Sequence, residues 1–452
     1  MERCQLNRNM VSKEKIVNNP LSVHVMAKPS GAICNISCEY CFYLEKEKLY
    51  PSVSRSKWQM NDEILEKYVK QYIEAQKINV VNFAWQGGEP TLLGVDFYKK
   101  AVKLQKKYSN GKTITNAFQT NAILINDEWA EFLKEENFLI GVSIDGPKDL
   151  HDKYRVDRGG NPTFERVIEG LNFLKKFNVE FNTLTVLHRF NADYPEKVYK
   201  FLSEELDSKF MQFIPIVERE SRSDRKDKLK LVDPDHQEAD LTEWSIGSEQ
   251  YGKFLATIFD LWVRKDVGDR FVQIFDTTLA SWVGQNPGLC IFSETCGDAM
   301  IIEHNGDVYS CDHFVYPDYK LGNVKKKTIR QMTDSPQQRK FGLDKKNTLP
   351  KYCQECEFKF ACNGGCPKQR FINTPDGEPG LNYLCKGYKI FFGHTSPYMK
   401  FMANEIKFGR PPSNIMTRAK KITTNTDIYS GAQRNKPCPC GSEKKYKFCH
   451  GR

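Results

Sequence analysis

Between residues 21 and 217 the apolar positions alternate repeatedly between a two-residue and a 3.6-residue period. Residues 21–28 read as a strand with Val23 and Val25 on one face. Asn61 is placed to cap a helix in which Ile64, Leu65, Tyr68, Val69, Tyr72 and Ile73 share one stripe. A strand over 80–85, a helix near 97–108, a strand near 113–119 and a helix near 128–136, capped by Asn126 or Asp127, follow. The series continues with strand 138–144, helix 163–177, strand 179–187, helix 195–206 and strand 209–217, and a last helix fits 250–263. Six strand–helix units in succession predict an α/β fold, a parallel sheet with helices outside it. Periodicity does not separate an open doubly wound sheet from a partial barrel. In both, ligands sit at the carboxyl ends of the strands.

The pattern then breaks. Residues 221–240 are charged and turn-rich, as expected of an exposed loop. From Cys290 to Cys385 there are short strands, turns such as Asn305-Gly306, and many cysteines. The predicted organisation is a barrel over 20–265, a cysteine-rich domain over 266–400, a polar linker over 409–433 and a small unit over 434–452.

Composition narrows the class. The 452 residues are 40% hydrophobic, enough for a sizeable core, yet no run of 18 apolar residues predicts a membrane span. Residues 1–20 are polar and lack a signal-peptide stretch, so a cytoplasmic location is expected. The net charge of +10 is partly the tail cluster Lys444, Lys445 and Lys447. With no recognition motif beside it, that charge does not make nucleic acid an expected partner. Fifteen cysteines in a reducing compartment point to metal binding or catalysis rather than disulfides.

Cys34, Cys38 and Cys41 form C-x3-C-x2-C just after the first strand. Three thiolates suit a 4Fe–4S cluster with one iron left open, whereas zinc wants a fourth ligand, for which His24 is the near candidate. Cys290, Cys296, Cys311, Cys353, Cys356, Cys362, Cys366 and Cys385 supply eight more thiolates, enough for two fully ligated 4Fe–4S clusters or two zinc ribbons. In the tail, Cys438, Cys440, Cys449 and His450 make a Cys3His set suited to zinc.

The stretch from Cys34 to Cys41 resembles the signature of the radical SAM superfamily. That resemblance implies a partial (β/α)6 barrel and a cluster on Cys34, Cys38 and Cys41 whose open iron holds S-adenosylmethionine. It implies adenine contact by Tyr40, and by the backbone near Val217 after strand six. Gln86-Gly87-Gly88-Glu89-Pro90 resembles the family's GGEP motif, whose backbone at Gly88 binds the methionine amino group; Ser143, Asp145 and Arg155 resemble its ribose and carboxylate contacts. The later cysteine spacing resembles the SPASM domain. It implies one auxiliary cluster on Cys290, Cys296, Cys311 and Cys366, and a second on Cys353, Cys356, Cys362 and Cys385. The tail resembles the SEC-C zinc motif.

Within SPASM proteins, the text from Asn305 to Pro317 and from Phe83 to Thr91 resembles the anaerobic sulfatase-maturating enzymes. That family oxidises a cysteine or serine of a sulfatase to Cα-formylglycine. It implies as partners an unfolded or nascent sulfatase carrying Cys/Ser-x-Pro-x-Arg and an electron donor such as flavodoxin or ferredoxin. It also implies Asp312 as general base and Gln86 as a substrate contact. A carboxylate partly desolvated beside a cluster ligand is expected to take a proton more readily. A SPASM maturase of another peptide is the alternative. A non-catalytic iron–sulfur carrier is a third reading, against which the open three-cysteine motif speaks.

Overall fold

The computed structural model describes residues 22–51, 58–223, 225–419, 434–436 and 445–448. Six parallel strands form its centre: β1 (His24–Lys28), β2 (Val80–Trp85), β3 (Thr113–Thr120), β4 (Leu139–Ser143), β5 (Phe181–Leu187) and β6 (Phe210–Pro215). They lie side by side in chain order. Crossover helices cover one face because β-strand side chains alternate: Val81, Phe83 and Trp85 of β2 are buried, and Phe83 and Trp85 meet Tyr68 and Tyr72 of the helix Asp62–Ala75. The Asn61 side chain accepts from the Ile64 N–H at 2.9 Å and caps that helix, and all six residues of its predicted stripe are buried.

The sheet continues past the expected barrel. Beyond a hairpin of β7 (Arg219–Ser221) and β8 (Ala239–Leu241), β9 (Phe271–Val272) extends the β6 edge. On the other edge β10 (Ala299–Glu303) runs parallel to β1, pairing Lys28 with Glu303. The antiparallel strands β11 (Asp307–Tyr309) and β12 (Lys320–Asn323) complete a ten-stranded sheet. The cysteine-rich region therefore shares the barrel's sheet, and its first strands bring Cys311 and Asp312 to the end of β1.

Three expectations change. The 221–240 segment is packed rather than loose. Leu229, Leu231 and Val232 are buried, and the Glu45 carboxylate accepts from the N–H groups of Lys230 and Leu231. The predicted boundary at 400 falls inside a helix, Cys385–Lys407, which packs on the helix Ser248–Lys265 through facing glycines. The predicted linker starts too early, because Ile415–Ala419 is a helical turn whose Ile415 and Ala419 are buried. The tail ligands Cys438, Cys440, Cys449 and His450 lie outside the described residues. No helix among the described residues is long and apolar enough to cross a membrane.

Candidate active site

The carboxyl ends of β1 to β6 open into a cavity of ≈ 230 Å³. Cys34, Cys38, Cys41, Tyr40, Gln86, Gly88, Ser143, Arg155, Val217 and Asp312, each predicted from sequence, all line it. His24, weighed as a fourth metal ligand, does not; it starts β1, at the other end of the strand from the cysteines.

The cysteine loop is held by backbone. The Gly88 N–H donates to the Gly31 carbonyl at 2.8 Å and the Glu89 N–H to the Ile33 carbonyl at 2.8 Å. This approach requires glycine: a Cβ on residue 88 would stand 2.0 Å from the Ile33 carbonyl oxygen. With its N–H spent, what Gly88 can offer a ligand is its carbonyl, an acceptor suited to an ammonium group. The buried Glu89 carboxylate staples the loops beneath, accepting from Thr91, Thr120 and the Asn121 N–H. Burial pushes the Cys34 thiol up, and pushes Cys38 up to about 12. Thiols so placed stay protonated unless a metal takes the proton's place, which fits iron ligands.

Beside them, the Tyr40 hydroxyl donates to Asp145 and receives Arg155 Nη1 at 3.0 Å. Asp145 is fully buried, also accepts the Val186 N–H at 3.1 Å, and does not line the cavity. It therefore holds Tyr40 rather than reaching a ligand, a correction to its expected role. Arg155 Nε is buried without a partner, so a donor remains for an anionic group. Ser143 Oγ receives Gln119 Nε2 at 2.9 Å. The His188 ring lies 5.6 Å from that of Tyr40, and burial pushes its pKa down to about 3, so it is a neutral partner.

A further stretch of the lining comes from the cysteine-rich region. Asp312 opens a short turn capped by Cys311. The sequence reading expected a carboxylate partly desolvated beside a cluster ligand and named no partner for it. Instead Lys28 Nζ, at the end of β1, lies 2.6 Å from Asp312 Oδ1 and 3.0 Å from Gln86 Oε1, and 4.2 Å from the Tyr43 ring centre. Lys28 was missed, although a lysine closing an apolar strand is itself a signal, since buried lysines are rare unless paired.

Two further thiol groups stand behind this wall. Cys353, Cys356, Cys362 and Cys385 line one small, apolar cavity with Phe358, Tyr388 and Phe392. Cys290, Cys296, Cys311 and Cys366 lie close enough that Cys366 perturbs each of the other three. Lys345 Nζ donates to the Cys290, Ile291 and Ser293 carbonyls beside them, and His313 Nδ1 is 3.6 Å from Cys366 Sγ. All eleven described cysteines are free, and each belongs to a predicted ligand set. Among the described residues, no three such side chains converge on a single-ion position; they ring spaces instead.

Comparison with known proteins agrees with this arrangement. The chain matches the Radical SAM superfamily over residues 29–202, the SPASM iron-sulfur cluster-binding domain over 290–357 and the SEC-C motif over 434–452. It is 51% identical to a serine-type anaerobic sulfatase-maturating enzyme of Bacteroides thetaiotaomicron, over 88% of this chain and 95% of the relative. It is 33% identical to a cysteine-type enzyme of Clostridium novyi, over 86% of this chain and 99% of the relative. A solved structure described as native anSMEcpe with bound AdoMet and Cp18Cys peptide superposes with a TM-score of 0.73 at 33% identity, over 85% of this chain and 99% of that one. The cysteine-lined cavity, the two thiol groups behind it and these likenesses together establish that the chain belongs to the anaerobic sulfatase-maturating enzymes of the radical SAM superfamily.

Proposed function

We propose that this protein oxidises a cysteine or serine side chain of a sulfatase polypeptide to Cα-formylglycine without oxygen. One observation carries the reading: a single cavity is lined by three free cysteines and by a paired carboxylate, Asp312. Cys34, Cys38 and Cys41 would hold the open 4Fe–4S cluster. Cys290, Cys296, Cys311 and Cys366 would hold one auxiliary cluster, and Cys353, Cys356, Cys362 and Cys385 the second. The tail set Cys438, Cys440, Cys449 and His450 would take zinc. Bound there, the clusters and S-adenosylmethionine supply hydrogen-atom abstraction at the substrate Cβ and an acceptor for the second electron.

The chain's own residues do the rest. The Gly88 carbonyl would accept from the amino group of S-adenosylmethionine, Arg155 and Ser143 would hold its carboxylate and ribose, and Tyr40 with the Val217 backbone would hold adenine. Gln86 orients the substrate side chain, and Asp312 takes its S–H or O–H proton. Serine then loses two hydrogens to become the aldehyde. Cysteine gives a thioaldehyde that water converts to the aldehyde, releasing hydrogen sulfide. The polypeptide enters unfolded, carrying Cys/Ser-x-Pro-x-Arg, and a flavodoxin or ferredoxin supplies the electron.

A peptide deuterated at the Cβ of the target residue tests this. Deuterium recovered in 5′-deoxyadenosine supports abstraction at that carbon. Oxidised peptide with no deuterium in 5′-deoxyadenosine overturns it.

A further inference from the structure

Lys28 is 1% exposed, yet it carries a charge into the active-site wall. Its ammonium has three N–H donors. It donates to Gln86 Oε1 at 3.0 Å and ion-pairs with Asp312 Oδ1 at 2.6 Å, and the Tyr43 ring face lies 4.2 Å away. The three neighbours come from three different elements: the cysteine-rich region, the end of β2, and the segment after Cys41. Lys28 itself ends β1, the strand that joins the barrel to β10. Among the described residues it is the cation within ion-pair distance of Asp312.

We infer that Lys28 is a positioning residue that locks Asp312 and Gln86 into one unit at the substrate side chain. The inference rests on the reading of Asp312 as the base. A carboxylate at the start of a short turn has rotamer freedom that would spoil its aim. An ammonium ion-paired with the carboxylate and held by the Gln86 amide and the Tyr43 ring removes that freedom, and does so for the amide of Gln86 at the same time. Lys28 thereby couples the two halves of the molecule where they meet the substrate. Its role is geometric: a misplacement of about 1 Å can cost on the order of 100-fold in rate.

The test is a double-mutant cycle in the reconstituted full-length enzyme. Lys28→Met keeps the stem and removes charge and donors. It should lower the kcat of formylglycine formation about 10- to 100-fold. The KM for S-adenosylmethionine should hold, 5′-deoxyadenosine should still form, and the yield of product per 5′-deoxyadenosine should fall. In an Asp312→Asn background, adding Lys28→Met should cost less than about twofold more, because Lys28 acts through Asp312. Lys28→Gln, which keeps a donor, should retain more coupling than Lys28→Met. If Lys28→Met loses its iron, the same cycle is run with Lys28→Gln. An equal fold-loss with and without Asp312→Asn, or unchanged coupling in the single variants, overturns the inference. Full coupled turnover by Asp312→Asn alone overturns the base assignment instead, so the two failures are distinguishable.

Discussion

Gly88→Ala is the sharpest single probe of the cofactor wall. The added Cβ would lie 2.0 Å from the Ile33 carbonyl oxygen, 2.4 Å from its carbon and 2.7 Å from the Ala32 carbonyl carbon. All three are backbone atoms, so no side chain can swing aside. Reaching an ordinary contact requires the 86–90 loop and the 31–33 segment to part by about 1.4 Å, which breaks the Gly88–Gly31 and Glu89–Ile33 hydrogen bonds. The overpacking should cost on the order of 1–3 kcal/mol of stability. The displaced carbonyl and the shifted Cys34 should lower the rate of S-adenosylmethionine cleavage by about 100-fold. Iron content should stay near that of the parent, because the thiols themselves are intact. The assay measures 5′-deoxyadenosine by chromatography, S-adenosylmethionine binding by equilibrium dialysis, and iron colorimetrically, all on anaerobically reconstituted protein. A Gly88→Ala variant with parental affinity and cleavage rate would refute the argument that this approach positions the cofactor.

Asp312→Asn keeps size but cannot take up a proton at neutral pH, so formylglycine yield should fall by about 100- to 10,000-fold while 5′-deoxyadenosine continues to form. Deletion of residues 434–452 should remove about one zinc per chain by elemental analysis and leave cofactor cleavage intact. Lys46 is 2% exposed, and burial pushes its pKa down to about 8 from the usual 10.5. The native group thus loses its proton below the pH at which the unfolded chain does. Below pH 8 the charged form is held at a cost on the order of 3 kcal/mol, and stability rises with pH between about 8 and 10.5. Lys46→Met should raise the unfolding temperature at pH 7 and flatten that rise, measured by circular dichroism at both ends of the range.

How much of this was legible in the sequence depended on separation along the chain. The Asn61 cap, the β2 alternation and the cysteine spacings are local patterns, and each was readable directly. Asp312 was readable because it adjoins Cys311. Lys28 was not tied to it, because 284 residues separate the pair and only the parallel β1–β10 register brings them together. The helix Cys385–Lys407 was hidden by its starting cysteine, its glycines and Pro397, residues that ordinarily argue against a helix. The packing of residues 221–240 was hidden as well, since three apolar residues among many charges form no period. Asp145 was misread for a related reason: its position after β4 resembles a ligand contact, but its carboxylate is spent on Tyr40 and Val186.

The central claim is that this cavity turns a sulfatase cysteine or serine into formylglycine. It is tested most directly by mass spectrometry of Cys-x-Pro-x-Arg and Ser-x-Pro-x-Arg peptides, incubated anaerobically with the reconstituted enzyme, a reductant and S-adenosylmethionine. The account predicts that at least one peptide gains an aldehyde, trapped by a hydrazine, in step with 5′-deoxyadenosine. For serine the mass falls by two hydrogens; for cysteine, sulfur and two hydrogens are replaced by oxygen. Steady 5′-deoxyadenosine formation with both peptides left unmodified, or a thioether crosslink in place of the aldehyde, would contradict it.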